Sequence, residues 1–467
     1  MTTDDSAFLS IEDASKLIAS KQLSPVELTQ EMLTRIEKLN PTLNAYLTVT
    51  AGAAITEAKA AETEIAAGKH RGVLHGIPIA HKDLFDTKGV RTTAGMKIFA
   101  DRVPDTDAAV VEKLRDAGAV SLGKLGMHEA AYGMTSDNIH FGTIRNPWDP
   151  ARVPGGSSGG SGAATAAGLA FATTGSDTGG SIRCPAAFCG TVGLMPTYGR
   201  VSLRGAVPLS WTMDHAGALT RTVRDAAIML QAMASYDPGD PVSVDRPVPD
   251  YLRGIERGAN GLRIGVPKQH FWSNLDAPVE KLARAAIDSL GDAGATVVDV
   301  DWPQVVEYAQ ILWDVSLCEA SAFHAPWFPS RRAEYDQQVA TLLDAGNAMP
   351  GARAAAARRL MDEARGGMAD AVLDKHSVDV LAIPATPAVA STIEETRRRP
   401  AASGRIVAFT GIIDFTGQPA IAVPCGFTPE NLPASISFVG RRFDEPAMLR
   451  AARAYEQIRG AFPMPMM

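Results

Sequence analysis

Two glycine-rich stretches carry the residues most able to do chemistry. The first is Pro154-Gly-Gly-Ser-Ser-Gly-Gly-Ser-Gly162, and the second is Thr173-Thr-Gly-Ser-Asp-Thr-Gly-Gly-Ser-Ile-Arg183. Glycine has no Cβ, so clustered glycines let backbone N–H groups come close to a bound atom. One use is a phosphate cradle. A P-loop needs Gly-x4-Gly-Lys-Ser/Thr, yet no lysine occurs between Lys124 and Lys268, and no Gly-x-Gly-x-x-Gly is followed by an acidic partner at dinucleotide spacing. The other use is an oxyanion hole, in which the N–H groups of Thr178, Gly179, Gly180 and Ser181 face a developing negative oxygen while Ser181 attacks a carbonyl. Each such donor is worth about 10²–10³ in rate.

A serine nucleophile needs a base. His81, His128 and His215 have no Asp/Ser pattern around them and read as structural. Lys82 ends the apolar run Gly76-Ile-Pro-Ile-Ala-His-Lys82. Burial disfavours the ammonium, so a lysine in that setting can be neutral and basic near neutral pH. A strand-end lysine can equally be a cation reaching for water, and residue types alone leave both readings open. Three other patterns carry less. Gly155-x-Ser157-x-Gly159 fits a nucleophile-elbow string, but any Gly/Ser repeat does. Ser121-x-x-Lys124 and Ser136-Asp-Asn138 mimic β-lactamase motifs, but they lie too close together and no Lys-Thr-Gly accompanies them.

The elements that must position these residues alternate. Ser10 and Ser24-Pro25-Val-Glu27 start two helices, the second a capping box whose helix carries Leu28, Met32, Leu33 and Ile36 on one face. That face suits the core or a homodimer contact. A third helix covers about 52–67. Helix, Asp-Ala-Gly-Ala, strand recurs over 107–123 and 277–302, with each glycine suited to a left-handed helix end. Further strands are expected at 262–266, 379–383 and 420–424, and the region 303–375 is mostly helical. The result is an α/β protein whose sheet is covered by helices on both faces.

The chain has 467 residues, 46% hydrophobic, with 45 basic against 52 acidic side chains. A net charge of −7 without a basic stripe argues against nucleic acid, and the run Arg397–Arg399 before Pro400 reads as a solvated loop. Cys184, Cys189, Cys318 and Cys425 form neither a disulfide framework nor a Cys-x-x-Cys zinc motif. The acidic start at Met1 lacks a signal pattern, and the longest uncharged run, Val153–Ser176, is too broken to span a membrane. A cytoplasmic protein is expected, without membrane or metal.

The chain resembles the amidase signature family of serine hydrolases. The resemblance runs through Gly76-Ile-Pro-x3-Lys82-Asp83, Asn146-Pro-Trp-Asp-Pro-x3-Pro154-Gly-Gly-Ser157-Ser-Gly-Gly160 and Gly175-Ser-Asp-Thr-Gly-Gly-Ser181-Ile-Arg183-x-Pro-Ala-Ala187. It continues through Phe188-Cys-Gly-x2-Gly-Leu-x-Pro-Thr-Tyr-Gly-Arg200 and Thr416-Gly-x-Pro-Ala-x2-Val-Pro-Cys-Gly-Phe427. It implies one large domain over 1–467 with a mixed sheet, comprising an N-terminal helical segment (1–70), a catalytic core (71–230) and a helical insertion near the substrate pocket (303–375). It also implies roles. Ser181 is the nucleophile, Ser157, after a cis peptide from Gly156, is the bridging serine, and Lys82 is the final proton acceptor. Ser158 and Asp177 support the site, Ala131 and Tyr132 line the acyl pocket, and no cofactor takes part.

The substrate so implied is a small amide. The aromatic residues of 303–330 and Trp211 suggest a neutral, partly apolar acyl group, while Arg183 reads as structural. Asp414, Gly95-Met96 and Ala434-Ser-Ile436 depart from the family's usual residues. The alternative is the glutaminase component of a glutamyl-tRNA amidotransferase complex, to which Pro196-Thr-Tyr-Gly-Arg200-Val-Ser is similar. Those components carry an acidic residue where Val407 precedes Phe409-Thr410 here, and Pro208–His215 looks more like free-standing amidases.

Overall fold

The computed structural model describes residues 6–399 and 402–467. The acidic start, residues 1–5, and Pro400 with Ala401 lie outside the described residues. Eleven strands make one sheet: β1 (Tyr46–Val49), β2 (Pro78–Lys82), β3 (Val120–Leu125), β4 (Ala172–Asp177), β5 (Val192–Met195), β6 (His215–Thr220), β7 (Arg263–Pro267), β8 (Thr296–Val300), β9 (Val380–Pro384), β10 (Ala420–Phe427) and β11 (Pro433–Val439). Their spatial order is β1-β3-β2-β4-β6-β5-β10-β11-β9-β7-β8. Pairing is parallel at β3–β2–β4 and at β9–β7–β8, and antiparallel elsewhere. One α/β domain with a mixed sheet results, as expected.

Local signals behave as their chemistry dictates. Ser10 accepts the Asp13 N–H and starts the helix Ile11–Ala19, and Ser24 accepts the Val26 and Glu27 N–H groups at the head of Pro25–Leu43. The second cap is only half a capping box, because the Ser24 hydroxyl donates to Glu62 instead. Both Asp-Ala-Gly-Ala turns form, with Gly118 at φ +85° and Gly294 at φ +96°, a conformation that glycine adopts without a Cβ penalty. Leu28, Met32 and Ile36 are buried within the chain's own core, so this face is core rather than dimer contact.

Three expectations change. The N-terminal segment is not purely helical, since β1 pairs with β3 at the sheet edge. The basic run is no loop, because Arg397 and Arg398 close a helix, Ile393–Arg398, begun by a Thr392–Glu395 capping box. The helices Ala402–Thr416 and Glu445–Arg459 and the strands β6 and β11 were not anticipated. Among the described residues no helix is long and apolar enough to cross a membrane.

Candidate active site

Lys82 closes β2 between β3 and β4, and its side chain is 0% exposed. Its Nζ donates hydrogen bonds of 2.8 Å to Ser157 Oγ and 2.8 Å to Ser176 Oγ. Burial pushes its pKa down to about 7, against the pull of the Asp177 and Asp214 carboxylates. Sequence reasoning missed Ser176. Strand alternation could have found it, because Thr174 and Ser176 share one face of β4, and Thr174 Oγ1 accepts the Lys82 backbone N–H at 3.1 Å.

The two serine loops are tied to each other. The Gly156–Ser157 peptide is cis, and a helix, Gly159–Ala166, begins immediately after Ser158. Ser158 donates its N–H to the Ser181 carbonyl (3.2 Å) and its hydroxyl to the Ser176 carbonyl (3.2 Å). Asp177, at the end of β4, gathers the second loop by accepting N–H groups of Gly180, Ser181 (2.8 Å) and Ile182 (3.1 Å). The oxyanion-hole expectation therefore narrows. Gly180 and Ser181 donate to Asp177, while the N–H groups of Thr178 and Gly179 have no acceptor among the described residues. Ser181 Oγ rests 4.0 Å from Met134 Sδ, and no hydrogen bond joins it to Ser157 in this structure.

Behind the loop lies a buried ion cluster. Arg183 pairs with Asp177 at 3.0 Å and with Asp414 at 2.5 Å, all three side chains being at most 2% exposed. Burial alone would raise the Asp177 carboxyl, but the guanidinium holds it well below the usual range. Asp414 goes the other way, raised by burial and by the neighbouring Asp177 charge. Arg183 is structural, as read from the sequence. The helix Ala402–Thr416 thus touches the Ser181 loop through Asp414, and also through Thr410, whose hydroxyl bonds the Gly179 carbonyl. Gly180, at φ +118°, has no room for a Cβ because Thr410 occupies that space. Neither Asp414 nor Thr410 carried a sequence signal for this role. Asp214, which receives the Thr178 hydroxyl at 2.5 Å, was missed as well.

Ser181 opens into a cavity of about 640 Å³. Its wall includes Ala131, Tyr132, Met134, Leu209, Met213 and Val407, as well as Leu312, Trp313 and Leu342 from the helical region 303–375. Ala130 and Ala131, both left-handed (φ 53° and 56°), bend the segment that brings Ala131 and Tyr132 to the wall. No Asp, Glu, Lys or Arg is among the described lining residues. Trp211 departs from expectation, since it is 42% exposed and does not line the cavity. Met96 and Ala434–Ile436 also lie outside the wall. His81 and His215 are buried, and burial pushes both down to about 3, so neither is a base at neutral pH. His128 is buried too and lines the cavity.

The Amidase family model matches residues 27–449. The chain is 41% identical to the A subunit of glutamyl-tRNA(Gln) amidotransferase from Anaeromyxobacter dehalogenans, over 98% of this chain and 97% of that protein. The crystal structure of the A subunit of glutamyl-tRNA(Gln) amidotransferase from Thermotoga maritima superposes with a TM-score of 0.84 at 34% identity, covering 99% of this chain and 98% of that one. Native peptide amidase from Stenotrophomonas maltophilia superposes with a TM-score of 0.85 at 33% identity, covering 98% of each chain.

Proposed function

The chain belongs to the amidase family, and on that premise we propose that it hydrolyses the C–N bond of uncharged carboxylic amides through an acyl-enzyme on Ser181. One observation carries the reading: a fully buried lysine with a pKa near 7 touches a serine hydroxyl beside an apolar cavity that holds a second serine. Ser181 Oγ turns from Met134 toward Ser157, a change between staggered rotamers, and attacks the carbonyl carbon. Its proton passes to Ser157 Oγ as the Ser157 proton passes to neutral Lys82. The Thr178 and Gly179 N–H groups face the negative oxygen that forms. Collapse of the tetrahedral intermediate breaks the C–N bond, and the relay returns a proton to the departing nitrogen, which leaves as ammonia or an amine. Water then attacks the ester by the same route, releasing the carboxylate and restoring Ser181.

Similarity to the amidotransferase proteins favours a second reading, in which the chain works with partner subunits and releases ammonia from glutamine. Sequence identity supports this reading more strongly than it supports a free-standing hydrolase. The cavity supports the first. Glutamine brings an ammonium and a carboxylate, both needing charged or strongly polar partners when desolvated, and the described wall, Val407 included, offers no charged side chain.

The test is intact-mass spectrometry of the purified chain during turnover of aryl and aliphatic primary amides, and of glutamine. The expected result is a mass increase equal to the acyl group with neutral amides, absent in Ser181→Ala. Turnover that survives Ser181→Ala would overturn the assignment. Activity confined to glutamine and dependent on added partner subunits would select the second reading.

A further inference from the structure

His128 lines the apolar cavity and is 5% exposed. Its position is fixed from three sides. Its backbone N–H donates to the Ser157 carbonyl at 3.0 Å, so the residue is one hydrogen bond from the bridging serine. Its Nδ1 accepts the Ser136 backbone N–H at 3.2 Å and lies 3.2 Å from Thr135 Oγ1. A backbone N–H can only donate, so Nδ1 must present a lone pair, and in the neutral ring the hydrogen sits on Nε2. Burial pushes the ring down to about 4, against the pull of Asp336 and Asp137, so at neutral pH the imidazole is uncharged.

The Nε2 edge has a definite place. It fills the space that a side chain at Gly133 would take, and Gly133 lines the apolar cavity. The Nδ1 edge faces Thr135, in the wall of a separate polar cavity of about 440 Å³. The ring thus separates the two spaces, with Nε2 on the side of Ser181. That N–H has no acceptor among the described residues. Unlike Nε2 of His215 and His324, it is not sealed from the cavity, so a ligand that covers it without accepting would leave a donor desolvated and unpaired, which is unfavourable. Of the other polar side chains of the wall, Thr178 is engaged with Asp214, Ser316 with the Trp313 carbonyl and Thr341 with the Gln337 carbonyl, Gln337 and Gln338 are exposed on a helix surface, and the Tyr132 hydroxyl is the second group without a partner.

We infer that His128 Nε2–H is a recognition group of the acyl pocket, donating to a hydrogen-bond acceptor on the acyl part of an otherwise apolar, uncharged amide. This rests on the reading of the cavity as the acyl pocket of an amide hydrolase. It narrows the substrate class from any neutral amide to those bearing an acceptor, such as a keto or amide oxygen, within reach of the ring. An amide with a plain hydrocarbon acyl group fills the pocket but leaves the Nε2–H unpaired, and a site built for a polar contact discriminates against a ligand that lacks it.

The probes are straight-chain primary amides carrying one keto oxygen at successive positions, each compared with its parent alkanamide. Dissociation constants are measured by calorimetry on the Ser181→Ala protein, so that no turnover is needed. At least one keto amide should bind about tenfold tighter than its parent, as expected of one neutral hydrogen bond. The preference should vanish in Ser181→Ala/His128→Phe and return in Ser181→Ala/His128→Gln, whose side-chain N–H can stand near the Nε2 position. Independently of any change at His128, ¹⁵N-histidine labelling should show its Nε2–H resonance moving with the preferred keto amide and staying with the parent. The inference is overturned if no keto position is preferred, if the preference survives His128→Phe, if the resonance does not respond, or if no amide binds. Turnover by the wild-type chain separates the two readings. Hydrolysis without the preference discards recognition by His128 alone, and the preference without acylation of Ser181 discards the hydrolase.

Discussion

Lys82 on β2 and Lys124 on β3 occupy neighbouring parallel strands, and both side chains are closed off from water. Burial pushes Lys82 to about 7 and Lys124 to about 8. Their partners differ. Lys124 Nζ donates to the Phe85 carbonyl, to Thr92 Oγ1 at 2.7 Å and to Thr87 Oγ1 at 3.2 Å, and Asp83 Oδ1 lies 3.9 Å away. Both threonine hydroxyls already give their hydrogens to carbonyls, Thr87 to Phe85 and Thr92 to Val90. Every partner of Lys124 can therefore only accept, which keeps the amine a donor. Ser157 and Ser176 have no other acceptor for their hydrogens among the described residues, and no carboxylate pairs with Lys82. A neutral Lys82 can reverse the Ser157 hydrogen bond and take a proton. Burial lowers the pKa in both places; partners with a hydrogen to give suit only one of the two lysines to the role of base that we propose for Lys82.

The largest expected effect separates the two directly. Lys82→Met should lower kcat/KM by at least about 10²–10⁴, the usual share of a general base, while the protein stays folded. Lys124→Met leaves Asp83 and the Phe85 carbonyl buried without their cation, and should remove about 3–5 kcal/mol of stability, read from urea unfolding. The molecules that remain folded should keep kcat/KM within about tenfold of wild type. A folded Lys124→Met as inactive as Lys82→Met would break the comparison.

Next in size is the pH profile. A protonated Lys82 cannot accept, so with chemistry limiting, kcat/KM should fall about tenfold per unit below pH 7 and level off above it, following the value near 7 for this lysine. The same acid limb should persist in Lys124→Met, because the lysine on the neighbouring strand takes no part in the relay. A flat rate from about pH 5 to 9 would remove Lys82 from the role of base.

The difference between the two lysine sites also marks what the residues revealed in advance. Ser181 stood out because a glycine-rich loop is a local pattern with a chemical reason behind it, whereas residue types left Lys82 between two readings and only the family resemblance singled out Ser157. Asp177 and Ser158 came from the same resemblance. Ser176 was hidden by the ordinary alternation of a strand, although its spacing from Thr174 was there to be used. Asp414 and Thr410 were out of reach, because only the closing of the sheet brings the helix Ala402–Thr416 back, more than 200 residues along the chain, onto the Ser181 loop. The setting of His128 was out of reach for a related reason. Its character depends on which ring nitrogen is engaged, and that is decided by Ser136 and Thr135 in the folded turn. The overall α/β alternation was legible wherever a helix ended in glycine before a β-branched run. The edge strand β1 was not, since four residues between two helices carry too short a period to register.

The smallest effect sharpens the comparison most, because it changes one hydroxyl at each lysine. Ser176→Ala removes an acceptor that favours the charged form of Lys82, so the ammonium is less stabilised and the pKa drops further. A hydrogen bond to a charged group is worth about 1.5–3 kcal/mol, and about 1.36 kcal/mol is one pKa unit. The acid limb of kcat/KM should therefore move to lower pH by about one unit, with a plateau lowered by less than about tenfold as Nζ loses one of two anchors. Thr92→Val is the matching change at Lys124. It should lower stability by about 1–3 kcal/mol and leave the limb where it is, because the Lys124 proton is not in the relay. An unmoved limb in Ser176→Ala would mean that Ser157 alone sets the basicity of Lys82. A limb that moves in Thr92→Val would mean that the two lysines titrate as one coupled unit across β2 and β3, and that the division between base and structural cation does not hold.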